Sequence, residues 1–153
     1  MRLIIFFSIS LLFSCFNPLL LQHEEPFFTM QRTACYGTCP QYTVSIYHNG
    51  KITYNGDLFV DKIGCFSSFI SEQEVTAIKL LLDDIDFFSL QKAYISPMTD
   101  IPSVVTEIYI DGKRHKVIDR IEGPKSLKKC YQLIDSVTEA IQDWSDCELF
   151  IIK

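Results

Sequence analysis

Two cysteines carry the most specific chemistry in this sequence. Cys35 and Cys39 enclose three residues in the run Arg32-Thr33-Ala34-Cys35-Tyr36-Gly37-Thr38-Cys39-Pro40. Thiols this close can join as a disulfide, exchange with other thiols, or help hold a metal. Gly37 permits a tight bend, and Pro40 confines Cys39 to extended backbone. A bridge is feasible where the two Cα atoms approach to about 4.4–6.8 Å, and it would lock the turn that feeds the following strand. Cys35 and Cys39 are therefore the disulfide candidates. Thiol–disulfide exchange is the sharper alternative. Against it, the spacing is C-x-x-x-C rather than C-x-x-C, and no helix start follows Cys39 to lower a thiol pKa. Two cysteines are too few for a closed zinc site, and His23, His48 and His115 show no ligand spacing. Neither a metal nor a cofactor is expected.

The remaining cysteines divide by position. Cys15 follows Met1-Arg2, an apolar run over residues 3–13 and Ser14. A cation, a short apolar core and a small residue before the cut describe an export signal. The tetrad Leu12-Phe13-Ser14-Cys15 looks like a bacterial lipobox, although Phe13 replaces the usual small third residue. Cleavage would give a signal peptide over 1–14, a lipidated Cys15, and a tether over 15–28 containing Pro18, Glu24, Glu25 and Pro26. Two or three acyl chains anchor firmly where one does not. A membrane-spanning helix is the competing reading of this segment, and Asn17-Pro18 interrupts it. Export implies an oxidising compartment in which disulfides persist. Cys130 lies beside an apolar helical stripe and reads as a buried thiol. Cys147 could bridge back to the domain. The pairing of Cys65, Cys130 and Cys147 stays open, because five cysteines after Cys15 leave one over.

Other polar groups show no catalytic pattern. Arg32, Thr33 and Tyr36 could form a ligand patch around the cysteine turn with Asp100, and Arg32 could pair with Asp100. Asp83, Asp84 and Asp86 read as a solvated helix end, and Lys113, Arg114, His115 and Lys116 as an exposed basic strand. Asp100 with Asp119 is the carboxylate pair that a hydrolase would need in one cleft. No phosphate loop, dinucleotide fingerprint, zinc-protease helix or nucleophile elbow is present. No catalytic residue is assigned, and a non-enzyme is the expectation.

The elements that position these residues follow from periodicity. Residues 42–47 alternate, and residues 51–54 follow after His48-Asn49-Gly50, where Asn-Gly predicts a type I′ turn. Residues 104–110 and 113–119 repeat this logic about Asp111-Gly112. A two-residue turn there predicts Ile110 opposite Lys113, Tyr109 opposite Arg114, Ile108 opposite His115 and Glu107 opposite Lys116, the last pair charge-complementary. Residues 28–33 and 57–66 are weaker strand candidates. Ser71 and Glu74 form a capping box ahead of Val75, Ile78, Leu82 and Ile85 on one helical face. A second helix opens at Gly123-Pro124, with Leu127, Tyr131, Ile134, Val137, Ile141 and Trp144 as its stripe. This order predicts one small α+β domain over 29–146, an antiparallel sheet built from hairpins with two helices packed on one face, and a tail over 147–153.

Length and charge exclude several classes. The chain has 153 residues, a net charge of −5 and 13% aromatic residues, so it is one domain rather than two and is not a disordered tail. An acidic balance argues against nucleic acid, which is bound through cationic contacts with phosphate.

The cysteine run, the alternating strand after it and its Asn-Gly turn resemble a family of bacterial exported and lipid-anchored domains of unknown function with an R-T-x-C-[FY]-G-T-C-P motif. Asp86-Phe87-Phe88-Ser89-Leu90 and Thr99-Asp100-Ile101-Pro102 match further, and the resemblance covers about residues 29–142. It implies no activity, ligand or catalytic residue. The sequence thus reads as a lipid-anchored cell-envelope protein, at the outer membrane or else periplasmic or secreted. Its expected role is non-catalytic binding or structure, with an envelope protein or glycan as partner. A thiol–disulfide protein using Cys35 and Cys39 is the alternative.

Overall fold

The computed structural model describes residues 24–147. The expected signal peptide, Cys15, most of the tether and residues 148–153 lie outside the described residues. The described chain forms one small α+β domain of eight strands and two helices. In chain order these are β1 (Phe28–Arg32), β2 (Gln41–Ile46), β3 (Lys51–Leu58), β4 (Gly64–Phe69), α1 (Glu72–Asp84), a 3-10 turn (Phe87–Ser89), β5 (Ala93–Tyr94), β6 (Val104–Ile110), β7 (Lys113–Asp119), α2 (Lys125–Ala140) and β8 (Ser145–Asp146). The open sheet has the order β5-β7-β6-β1-β2-β3-β4-β8. Every pairing is antiparallel except β5 with β7.

Alternation along the strands builds the core. Phe28, Met30, Val44, Ile46, Ile52, Ile108 and Val117 are buried, and they share one cluster with Val75, Ile78 and Leu82 of α1 and Leu127, Cys130, Ile134 and Val137 of α2. The intervening Thr29, Thr43, Ser45, Val105 and Glu107 are only partly buried, while Gln31 and Lys116 are exposed. One apolar residue in two suffices to commit a strand face to the core. The weak strand candidate at residues 28–33 becomes the centre of the sheet. Phe27, assigned from sequence to the tether, and Phe28, where the tether meets that strand candidate, are fully buried. The Phe27 N–H donates to Ile46 O and its carbonyl accepts from Tyr109 N.

Turn chemistry separates the two sheet connections. Asp111 and Gly112 both take positive φ, of 51° and 73°, as a type I′ turn requires. The β6–β7 register is the expected one, but Glu107 forms its ion pair with Arg114, diagonally, rather than with Lys116. Between β2 and β3 only Gly50 is left-handed, at φ 84°. That connection is a three-residue turn closed by Tyr47 N donating to Lys51 O, not a type I′ turn. An odd loop length needs a single left-handed residue. A Cβ at Gly50 would also lie 2.7 Å from Ile70 O.

The capping box at α1 is complete, with Ser71 Oγ accepting from Glu74 N at 3.2 Å and Glu74 Oε2 accepting from Ser71 N at 2.7 Å. α2 begins after Pro124 and ends at Ala140, so Ile141 and Trp144 are not part of its helical stripe. Ile141 is extended, and the chain turns into β8. Cys130, in the middle of α2, is free and buried, and desolvation pushes its thiol from 9.0 up to about 12. The native state therefore holds this proton more tightly than the unfolded chain. Its stabilising contribution is complete below pH 9 and is lost as pH rises toward 12. Tyr42, Tyr54 and Tyr131, all raised first by burial, act in the same direction above pH 10. The urea midpoint is expected to stay flat to about pH 9 and then fall, and Cys130→Ala should remove the earliest part of that fall. A midpoint that declines equally in the variant would assign the effect to the tyrosines.

Candidate functional site

The site starts where β1 ends. Arg32, its last residue, lies opposite Tyr42 of β2. Arg32 Nε donates to Tyr42 Oη at 2.7 Å, Tyr42 Oη donates to Asp135 Oδ1 at 2.7 Å, and Arg32 Nη2 forms an ion pair with Asp135 Oδ2. Burial opposes the Arg32 charge, but the hydrogen bond it donates to Asp135 and the neighbouring charges outweigh it and raise its pKa. Burial, then the Asp135 hydrogen bond, raise the Tyr42 pKa, so its hydroxyl remains protonated at neutral pH. Both carboxylate oxygens of Asp135 are engaged. The triad ties β1, β2 and α2 together and offers no poised base.

Aromatic rings continue from this triad. Tyr42 stacks on Tyr54 of β3 with centroids 5.3 Å apart, and Tyr54 meets Trp144 at 5.9 Å. The β3–β4 connection folds closely over this region. A Cβ at Gly56 would lie 1.9 Å from Lys62 O and 2.9 Å from the side chains of Tyr54 and Val60, so only glycine admits that approach. A cleft of about 360 Å³ results, lined by Pro40, Tyr42, Tyr54 and Trp144, by the loop Phe59, Val60, Asp61 and Lys62, and by Asp135, Thr138 and Glu139 of α2.

Disulfides brace two of these segments. Cys35–Cys39 closes the turn just ahead of Pro40, with Cα atoms 5.8 Å apart. Cys65–Cys147 joins β4 to the chain after β8, with Cα atoms 5.3 Å apart, and Cys147 N donates to Cys65 O at 3.0 Å. Trp144 is three residues from that second bridge.

The residues singled out from sequence separate in space. Thr33 zips onto the strand start at Ser103 through Thr33 N to Ser103 O at 3.0 Å and Ser103 N to Thr33 Oγ1 at 2.8 Å. Tyr36 is 91% exposed at the apex of the disulfide loop, and its N–H donates to Asp100 O at 3.2 Å. Asp100 is exposed and left-handed, with φ 65°, and its carboxylate accepts from Thr99 Oγ1. Tyr36 and Asp100 are thus neighbours through their backbones, while Thr33 is engaged by Ser103. The expected Arg32–Asp100 ion pair is corrected to Arg32–Asp135. Asp119 is buried, accepting from Gly123 N at 2.7 Å and from Tyr131 Oη at 3.4 Å, and it acts as a structural acceptor. Asp83, Asp84 and Asp86 are exposed. Within the basic strand, Arg114 pairs with Glu25 and Glu107, and His115 Nε2 contacts Leu90 O.

Sequence reasoning did not find Tyr42, Tyr54, Asp135, Glu139 or Trp144. Tyr42 and Tyr54 looked like ordinary strand residues. Asp135 bonds across 103 and 93 positions to Arg32 and Tyr42, a distance no local pattern reveals. Among the described residues, no three His, Cys, Asp or Glu side chains converge on a metal position, and no helix is long and apolar enough to cross a membrane.

A family model described as a domain of unknown function, DUF6438, matches residues 26–138. The matched span includes Arg32, Cys35, Cys39, Tyr42, Tyr54, Cys65 and Asp135, and it stops before Trp144 and Cys147. No curated protein matches the chain.

Proposed function

The chain belongs to the DUF6438 family of domains of unknown function, which assigns it no activity, and we propose on its own geometry that it is a non-catalytic binding domain of the bacterial cell envelope. The observation that carries this reading is the cleft itself. Two disulfides flank the segments that carry Pro40 and Trp144 in its lining, and both oxygens of its central carboxylate are already bonded, to Arg32 and Tyr42. Rigid walls bind with little ordering cost. Two disulfides fit an oxidising envelope or extracellular location. The lipobox-like segment supports anchoring through Cys15, at the outer membrane.

Phe28, where the chain enters the sheet, pairs with Ile46 and Ile108, whereas Arg32 pairs with Tyr42 and Val104. The chain thus enters the sheet and borders the cleft at opposite ends of β1, which are separated by about 13–16 Å at the rise of a strand. The thiol–disulfide alternative is favoured by one feature, the partial exposure of Cys35 and Cys39.

Mass spectrometry of membrane-extracted protein, alkylated before and after graded reduction, tests these readings. We expect an acylated Cys15 at a new N-terminus, with both bridges resistant to mild reductant. An uncleaved, unmodified Cys15 would overturn the anchoring. A Cys35–Cys39 bridge that opens near about −200 mV, the range of glutathione-buffered compartments, would replace the binding reading with the thiol–disulfide one.

A further inference from the structure

We propose that the cleft beside Trp144 binds a neutral saccharide. This rests on the reading of the cleft as a binding site and names its ligand class. Three observations favour it.

Charge comes first. Asp135 is neutralised by Arg32, which leaves the Asp61 and Glu139 carboxylates opposed by the Lys62 ammonium in the same lining. Two carboxylates against one ammonium leave one excess negative charge, which turns an anion away, while Lys62 offsets part of what a small cation would gain. Sugar hydroxyls donate and accept, so one ligand can satisfy carboxylates and ammonium together. The Tyr54 hydroxyl and Trp144 indole add donors.

The second observation is the apolar part of the lining. Phe59, Pro40 and the partly buried Trp144 contribute ring surface to the same cleft, with the Tyr54 ring buried behind Trp144. The C–H bonds on one face of a pyranose ring carry slight positive charge, which complements the negative face of an aromatic ring. An aromatic surface bordered by mixed polar groups therefore matches a ring that is apolar on its face and hydroxylated on its rim.

Size and rigidity are third. A cleft of about 360 Å³ lies within the roughly 300–1,000 Å³ of small-molecule sites. Disulfides fix the segments that carry Pro40 and Trp144, so weakly interacting hydroxyl ligands need not order their own site.

Trp144 is the sole tryptophan of the chain, so its fluorescence reports on this cleft directly. Tetra- and hexasaccharides of β-1,4-linked N-acetylglucosamine, glucose, mannose and galactose would be titrated against the oxidised protein at pH 7. Tetramethylammonium and arginine methyl ester would serve as cationic probes, and galacturonate oligomers as anionic ones. At least one neutral oligosaccharide is expected to give a saturable change. Tyr54→Ala should weaken it roughly tenfold or more, equivalent to about 1.4 kcal/mol. Because that variant removes buried area, Glu139→Ala, at an exposed position of α2, is the companion. It removes a carboxylate that the saccharide hydroxyls use and no core contact, so it should weaken saccharide binding about threefold or more while the urea midpoint stays unchanged; an unchanged affinity would overturn the inference. A response to the cations alone, to the acidic oligomers alone, or to no saccharide would overturn the inference. The mass-spectrometric result stands apart from these outcomes, so a lipidated, disulfide-stable protein that ignores saccharides would sink the ligand class and leave the envelope reading in place.

Discussion

Replacing Cys65 and Cys147 together by serine is expected to lower the stability of the domain by about 4–5 kcal/mol, the chain-entropy value for a link across 82 residues. Replacing Cys35 and Cys39 together should cost only about 2 kcal/mol, because that bridge spans 4 residues. The two bridges thus have different work. One closes most of the domain into a loop and holds a two-residue strand whose only partners are Phe66 and Ser67. The other shapes a turn. Urea denaturation of the two double variants, read as ΔG with its m-value, measures the difference. In the Cys65/Cys147 variant, β8 has too few pairings to remain docked, so Trp144 emission should shift to the red at denaturant concentrations below the main transition. Equal costs for the two pairs would show that the short bridge holds more than its own turn.

Asp135→Ala is the second large effect. It removes the shared partner of Arg32 and Tyr42 and leaves a half-buried guanidinium without its carboxylate. Breaking a fully buried pair costs about 3–5 kcal/mol. The side chains here keep 29% and 25% of their exposure, so solvent screening reduces the expected loss to about 2–3 kcal/mol. Asp135→Asn retains an acceptor for Tyr42 and should recover about 1 kcal/mol of that loss. Combining Asp135→Ala with Arg32→Met removes the stranded charge, so the double variant should be less destabilised than the sum of the singles by about 1–2 kcal/mol. Additive losses would mean that Arg32 and Asp135 stabilise the domain independently.

Both effects depend on contacts between distant segments, and this marks what local sequence could disclose. The capping box of α1, the Asp111-Gly112 turn and the β6–β7 register were legible because each is a matter of neighbours. Ser71 reaches Glu74 three residues away, and two left-handed residues fix which partners face each other. Errors arose where the same local signal admits two outcomes. Asn49-Gly50 suits either a two- or a three-residue turn, and Tyr47 pairing with Lys51 selects the longer one. The apolar spacing of Ile141 and Trp144 continues the α2 stripe, yet a disulfide and a short strand draw that segment out of the helix. Arg32 had a plausible partner in Asp100, and a carboxylate on α2 took it instead.

Local patterns were enough for β1, β2, β3, β6, β7, α1, the start of α2 and the cysteine turn, because these follow from side-chain period, turn chemistry and the reach of a few residues; the strand expected over 57–66 instead divides between the end of β3, a connection and the start of β4, and the two-residue strands β5 and β8 carry no local signal. Tertiary structure alone decided the bridge between Cys65 and Cys147, the Arg32–Tyr42–Asp135 triad and the cleft beside Trp144. Each of these joins residues from separate elements, and the energy that selects them is long-range packing and pairing that no single stretch of chain contains.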